Sequence, residues 1–171
     1  MAGKERNGFA VSEATLFRGA SYLLVPCGAP QWAETTMEEL ALQMGFGRVV
    51  KTTPEHHDEM IAYTSQLAHI VSSAYVRSAS ADRHYGYSAG SFRDMTRVAR
   101  MNAKRWTELM RDNADNRSRE VREMAARMTE YADALDSGDD ERLYSLLDAG
   151  NRTKLAVEKD RQKKLQKALG W

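Results

Sequence analysis

Hydrophobic and polar positions follow two different periods along this chain. Ser21-Tyr22-Leu23-Leu24-Val25 is a short apolar run closed by Pro26, which suits a buried strand. From Gln31 to Met44 the apolar positions Trp32, Met37, Leu40, Ala41 and Met44 stand close to helical spacing, and Gly45 and Gly47 provide a stop. Arg48-Val49-Val50-Lys51-Thr52 reads as a second short strand. Strand, helix, strand at this length is one βαβ unit, which calls for parallel strands and a right-handed crossover. Two strands alone make a poor sheet, so the unit reads as the far edge of a larger one. Ahead of it, residues 1–20 carry Gly3, Gly8 and Gly19 and little periodicity, which predicts loop with one turn around Glu13 to Phe17.

From Thr53 onward the period is helical. Thr53 is an N-cap, Pro54 fits the first helical position, and the apolar positions run from Met60 through Leu67, Ile70, Val71, Ala74 and Tyr75 to a helix end near Ser78. Ser80 to Gly90 reads as a loop, and a short helix carrying three arginines follows it. Asn102 caps a long helix predicted from Ala103 to about Leu135, with Trp106, Met110, Val121, Met124, Met128, Tyr131 and Leu135 as its apolar positions. Its middle, Arg111 to Glu120, is almost wholly polar, which fits a solvent bridge, a cleft wall or a break. Asp136-Ser137-Gly138-Asp139 is a turn, and Asp139 or Asp140 opens a last helix through Leu143, Leu146, Leu147, Leu155, Val157 and Leu165. The expected fold is therefore mainly α: a small βαβ edge unit over 1–52, then an all-helical domain over 53–171.

Composition narrows the function more than it narrows the fold. At 171 residues the chain is long enough for one domain with a real core. A formal net charge of +1 gives no bulk electrostatic case for nucleic acid, and the basic end Lys159 to Lys167 reads first as a solvated helix C-terminus. No apolar run reaches the ~18–20 residues of a membrane span. Met1 to Asn7 is polar, with no apolar signal region. One cysteine, Cys27, precludes an internal disulfide and suits a reducing cytoplasm.

Candidate chemistry concentrates between Tyr85 and Arg100. Arg93, Arg97 and Arg100 fall at i, i+4 and i+7, one helical face, and Phe92, Met95 and Val98 form an apolar stripe. Arginine's planar donor fork suits a carboxylate or phosphate, and Asp94 stands where it could cap the helix or hold one guanidinium. The plainer alternative is a solvated basic face. The histidines are His56, His57, His69 and His84. None has metal-ligand spacing, so no metal is expected. His69, one turn after Ser65 and Gln66, would by default be a satisfied core histidine, and Trp106 a core residue. No GxGxxG follows a strand within these residues, so they carry no dinucleotide fingerprint.

The wording of several stretches resembles the prephenate dehydrogenase family. Ala89-Gly90-Ser91-Phe92-Arg93-Asp94-Met95-Thr96-Arg97-Val98-Ala99 is similar to the family's "GGGFRDTTRIA". Thr53-Pro54-Glu55-His56-His57-Asp58, followed by Thr64-Ser65-Gln66-Leu67-Ala68-His69, is similar to "SPEEHD" and "TSHLPH". Met1-Ala2-Gly3-Lys4-Glu5 is similar to "HPMAGKE". The resemblance implies a helical dimerisation domain like the C-terminal domain of 6-phosphogluconate dehydrogenase, after the edge of a nucleotide-binding domain. It implies NAD- or NADP-dependent oxidative decarboxylation of prephenate, or of arogenate, on the way to tyrosine. Arg97 would bind a substrate carboxylate, with Arg93, Asp94, Ser65, Gln66, His69 and Trp106 around it. Lys4 and Glu5 would flank the cofactor and substrate cleft. The sequence departs from the pattern at Gln66, where the family has a histidine, at Ala68 for proline, and at Asn102-Ala103 for Asp-Pro. The family's catalytic histidine would precede Met1, so these residues alone are expected to be inactive and to bind no NAD. The expected partner is a second copy, with no nucleic acid or membrane. A non-catalytic helical dimer, or an interaction module for a carboxylated ligand or a separate nucleotide-binding chain, is the alternative.

Overall fold

The computed structural model describes residues 9–169. The chain packs as two compact units, one ending at Arg117 and the other beginning at Ser118.

The first unit begins with a short 3-10 turn at Phe9–Val11 and tight turns around Glu13 to Arg18, where Leu16 N–H donates to Glu13 O and Arg18 N–H to Thr15 O. Then come β1 (Ser21–Leu24), α1 (Gln31–Gln43) and β2 (Arg48–Lys51). The strands are parallel, with Ser21 opposite Arg48 and Leu24 opposite Lys51. The predicted βαβ unit thus has the expected strands and register direction. Leu24 and Ala41 are buried between helix and sheet. Phe46 stacks on Phe17 at 4.7 Å and meets Tyr22 edge-on at 5.1 Å.

Glycine closes the helix for a physical reason. Gly45 takes φ +88°, Phe46 N–H donates to Ala41 O at 3.1 Å, and Gly45 N–H donates to Leu42 O at 3.0 Å, which is a Schellman closure. Gly47 then lies against the backbone of Gly19, where an added Cβ would stand 3.0 Å from the Gly19 Cα.

Thr53 caps α2 (Pro54–Ile61) by accepting His56 N–H at 3.2 Å. The single α-helix expected from Thr53 to Ser78 is instead three continuous pieces. Ala62–Leu67 is π-helical, and α3 (Ala68–Val76) ends two residues early. Hydrogen bonding from i to i+5 places i, i+4 and i+5 on one face. Ala62, Gln66 and Leu67 are all buried as a result.

The predicted arginine helix is shorter than its apolar pattern suggested. α4 (Gly90–Thr96) ends before Arg97, its C-cap, and Arg100 lies outside it. The shared face of Arg93, Arg97 and Arg100 therefore does not form. The apolar stripe is also incomplete, because Met95 is 46% exposed while Phe92 and Val98 are half-buried. The loop before α4 contains a 3-10 turn at Ala81–Arg83.

Asn102 caps α5 (Ala103–Arg111) by accepting Arg105 N–H at 3.1 Å. The long helix predicted from Ala103 then breaks at Asp112 and Asn113, and α6 runs Ala114–Ser137. Asn113 makes the break. Its Nδ2 donates to Asp58 O at 2.7 Å, its carbonyl accepts Arg117 N–H at 3.3 Å, and its Oδ1 accepts Asn116 Nδ2 at 2.8 Å. Of the three readings of the polar stretch, a break is the one observed.

The second unit is the rest of α6 and α7 (Asp140–Leu169), joined at Gly138, φ +63°. Asp139 Oδ1 accepts Arg142 N–H at 2.9 Å and caps α7. Tyr131 Oη donates to Leu146 O at 3.2 Å, tying the two helices together.

Candidate functional site

The site lies in the first unit, where the π-helical segment, α3, the end of the α4 stretch, α5 and the first turn of α6 come together. His69 is the central group. Its Nδ1 stands 3.0 Å from the carbonyl oxygen of Val98, 29 residues on in sequence. A carbonyl only accepts, so Nδ1 carries the proton. In the neutral ring Nε2 is then an acceptor available to a ligand. The indole of Trp106 covers the imidazole at 4.1 Å between ring centroids. Ser72, one helical turn after His69 and buried, donates its hydroxyl to Met95 O at 2.7 Å. These two bonds fasten the segment 95–98, and with it the Arg97 backbone, to α3.

Gln66 is the second inward group. It is 5% exposed, and its Oε1 accepts from Arg117 Nε. Arg117 is also 5% exposed, and its Nη1 is buried without a hydrogen-bond partner. Burial pulls the Arg117 pKa below its ordinary value, while Asp112 and Asp58 oppose the shift. Sequence reading missed Arg117, which lay unremarked within the polar stretch Arg111–Glu120. The available signal was a charged residue placed between the apolar positions Met110 and Val121.

The structure thus brings Gln66, His69 and Trp106 together with the Arg97 segment, and Ser65 is half-buried beside Gln66. It leaves Arg93 and Asp94 on the exposed side of α4, and among the described residues Asp94 has no ion-pair partner. Asp94 therefore neither caps α4, whose N-cap is Ala89, nor holds a guanidinium. Arg100 is exposed and outside any helix. Lys4 and Glu5 lie outside the described residues. His84 stacks on Phe92 at 4.2 Å and meets Ser88 Oγ at 2.9 Å, away from this cluster in the loop before α4.

The turn from β1 to α1, Pro26-Cys27-Gly28-Ala29-Pro30, holds one glycine, and the α1 N-cap is proline with no side-chain cap. A pyrophosphate cradle needs several glycines and free N–H groups at that turn, so these residues do not fit one. Among the described residues no group of three His, Cys, Asp or Glu side chains could hold a metal ion. Among the same residues, no helix is long and apolar enough to cross a membrane.

Residues 53–149 match the family described as prephenate dehydrogenase, dimerization domain. The cyclohexadienyl dehydrogenase of Zymomonas mobilis is 29% identical over 167 residues, covering 94% of this chain and 57% of that protein. The structure of Synechocystis arogenate dehydrogenase superposes with a TM-score of 0.75 at 21% identity, over 90% of this chain and 59% of that one. The prephenate dehydrogenase of A. aeolicus, in complex with hydroxyphenyl propionate and NAD+, superposes with a TM-score of 0.73 at 21% identity, over 92% and 57%. The chain therefore spans a little over half the length of these relatives.

Proposed function

Because the chain belongs to the prephenate dehydrogenase family through its dimerization domain, we propose that it forms the substrate-binding and dimerising part of an enzyme that oxidatively decarboxylates prephenate or arogenate. Residues 1–52 serve as the edge of the nucleotide-binding domain and 53–171 as the helical substrate and dimer domain. The family's reaction would pass the hydride to NAD or NADP, and the turn after β1 does not fit that group.

The roles of the chain's own residues follow from their chemistry. Arg97 offers two parallel N–H donors to a substrate carboxylate. His69, with its proton fixed on Nδ1 by Val98 O, offers Nε2 to a ligand hydroxyl. Trp106 packs on that imidazole and shields one side of it. Ser65 and Gln66 supply further polar contacts. Arg93 and Asp94, exposed on α4, are outer members of the site. Lys4 and Glu5 keep their proposed place beside the cofactor cleft. The observation that carries the reading is the His69–Val98 hydrogen bond, which brings the arginine stretch to the histidine helix across 29 residues.

A second copy is the proposed protein partner, as the family description indicates, and the cytoplasm the proposed compartment. Prephenate binding to the 171-residue chain, measured by calorimetry, tests the site. A lost guanidinium–carboxylate contact costs ~2–5 kcal/mol, so Arg97→Ala is expected to weaken binding by tens-fold or more. Arg100→Ala, outside the helix, is expected to do much less. Equal effects would overturn the assignment. The same chain mixed with prephenate and NAD is expected to form no NADH above a buffer control, and formation of NADH would refute the division of labour.

A further inference from the structure

The pair Gln66–Arg117 has a chemical direction that neither residue has alone. An amide can face a neighbour with its oxygen or its nitrogen, and the two look alike in shape. A guanidinium has donors only. Arg117 Nε can therefore face only Gln66 Oε1, as it does. The amide NH2 is then turned away from Arg117, and among the described residues Gln66 Nε2 makes no hydrogen bond. Gln66 lies three residues before His69 on the same continuous helix. At this position Gln66 itself offers an N–H donor rather than an acceptor.

Charge reinforces the direction. Arg117 is buried, and its Nη1 has no hydrogen-bond partner. Asp58 and Asp112 act on it through space, but neither hydrogen-bonds the guanidinium. A positive charge enclosed by protein is weakly screened, so it acts strongly on a neighbouring ligand group. An anionic or carbonyl oxygen is favoured there, and an ammonium is penalised by the charge and by meeting a donor, not an acceptor, at Gln66.

We propose that Arg117 is a positioning residue that fixes the Gln66 amide with its NH2 toward the ligand, so that the site selects a 2-oxo acid over the 2-amino acid of the same skeleton. The proposal rests on the assignment of Gln66, His69 and Arg97 to the ligand site. Within that assignment it favours prephenate over arogenate, which differ in this way.

The test uses 4-hydroxyphenylpyruvate and tyrosine, which share a skeleton and differ at C2, with dissociation constants measured on the 171-residue chain by calorimetry. The unaltered chain is expected to bind the oxo acid at least tenfold more tightly. Gln66→Glu keeps a partner for Arg117, places an acceptor in the site and neutralises the charge. It is expected to shrink the preference by tenfold or more. Arg117→Met frees the amide to turn and is expected to shrink it similarly, while Arg117→Lys retains most of it. Helical circular dichroism confirms that each variant is folded, and Gln66→Glu decides the matter should Arg117→Met not fold. A preference unchanged in folded Gln66→Glu, or equal weakening toward both ligands, overturns the proposal and leaves Arg117 a structural residue. In that outcome the Arg97→Ala loss persists, so the site assignment survives. If the unaltered chain binds neither ligand and Arg97→Ala has no effect, the site assignment fails and this inference with it.

Discussion

The two compact units differ in what they bury: the buried polar side chains among the described residues all lie in the first, although it too exposes large apolar side chains such as Trp32, Tyr85 and Tyr87. In the unit ending at Arg117, polar side chains are buried: Gln66 and Arg117 at 5% exposure and Ser72 at 2%. In the unit from Ser118, large apolar side chains face outward, among them Met128, Leu135, Tyr144, Leu147, Leu155 and Val157, all more than half exposed. Ala134 is the one buried apolar side chain of that unit among the described residues. A buried polar group costs free energy unless it is hydrogen-bonded, and an exposed apolar surface goes without its hydrophobic gain. The exposed apolar surface does not serve the stability of an isolated chain. Inward polarity is suited to a small polar ligand, and outward apolarity to another protein surface. The outer faces of this two-helix hairpin, taken by itself, carry apolar side chains that suit the second copy proposed as its partner.

The largest expected effect would break the second half of this comparison. Leu147→Asp combined with Leu155→Asp places two carboxylates on the exposed apolar side chains of α7. An uncompensated charge in an interface costs ~3–5 kcal/mol, so the dimer dissociation constant is expected to rise a hundredfold or more. Light scattering at micromolar concentration should then report a monomer where the unaltered chain gives a dimer. The helices themselves should remain, because both positions are already exposed in the monomer. A monomeric unaltered chain would refute the interface at once.

The first half of the comparison is sharpened by Ser72→Ala. The substitution removes the donor that Met95 O accepts. Loss of a buried hydrogen bond that leaves one partner unsatisfied costs ~1–3 kcal/mol. For a chain of this length each kcal/mol moves the melting temperature by about 2–4 °C. A drop of roughly 2–12 °C is therefore expected in thermal unfolding. Prephenate binding should weaken too, because Met95 tethers the segment that carries Arg97. An unchanged affinity would mean that His69 and Val98 suffice to hold that segment.

What the sequence disclosed in advance was local chemistry. Thr53 and Asn102 cap helices because a side-chain oxygen reaches an N–H three residues on. Gly45 ends α1 because φ +88° suits glycine. Each depends on neighbours a few residues away. Three of the misreadings depend on distant partners. The break at Asn113 exists because its amide reaches the Asp58 carbonyl, 55 residues earlier. Arg117 is buried because Gln66, 51 residues earlier, accepts from it. Periodicity extended the arginine face to Arg100, but the backbone leaves the helix at Thr96, where His69 captures the carbonyl of Val98. His69 itself was found through its motif, whose wording carries tertiary information that hydrophobic spacing lacks.

The smallest expected effect comes from a surface ion-pair cluster of the first unit, away from its buried polar groups, which sets the scale for surface charge. Lys51 Nζ lies 2.6 Å from Glu38 and 3.1 Å from Glu34, joining β2 to α1. Hydrogen bonds to Glu38 first, then Glu34, raise the Lys51 pKa above 10.5. A group whose pKa is raised by folding stabilises the fold fully below its unfolded value and loses that contribution as pH rises through the folded value. The contribution should therefore hold in full below pH ~10.5 and be lost only above it, as the pH rises through the raised folded value. Lys51 is exposed to solvent, so water and salt screen the pair, and exposed pairs contribute little. Lys51→Met is expected to lower the melting temperature at pH 7 by less than Ser72→Ala does, with the loss shrinking in high salt and fading as the pH rises through the raised Lys51 pKa. A larger loss than that of Ser72→Ala would show that surface charge, rather than buried polarity, sets the stability of the first unit, and the contrast between the two units would lose its basis.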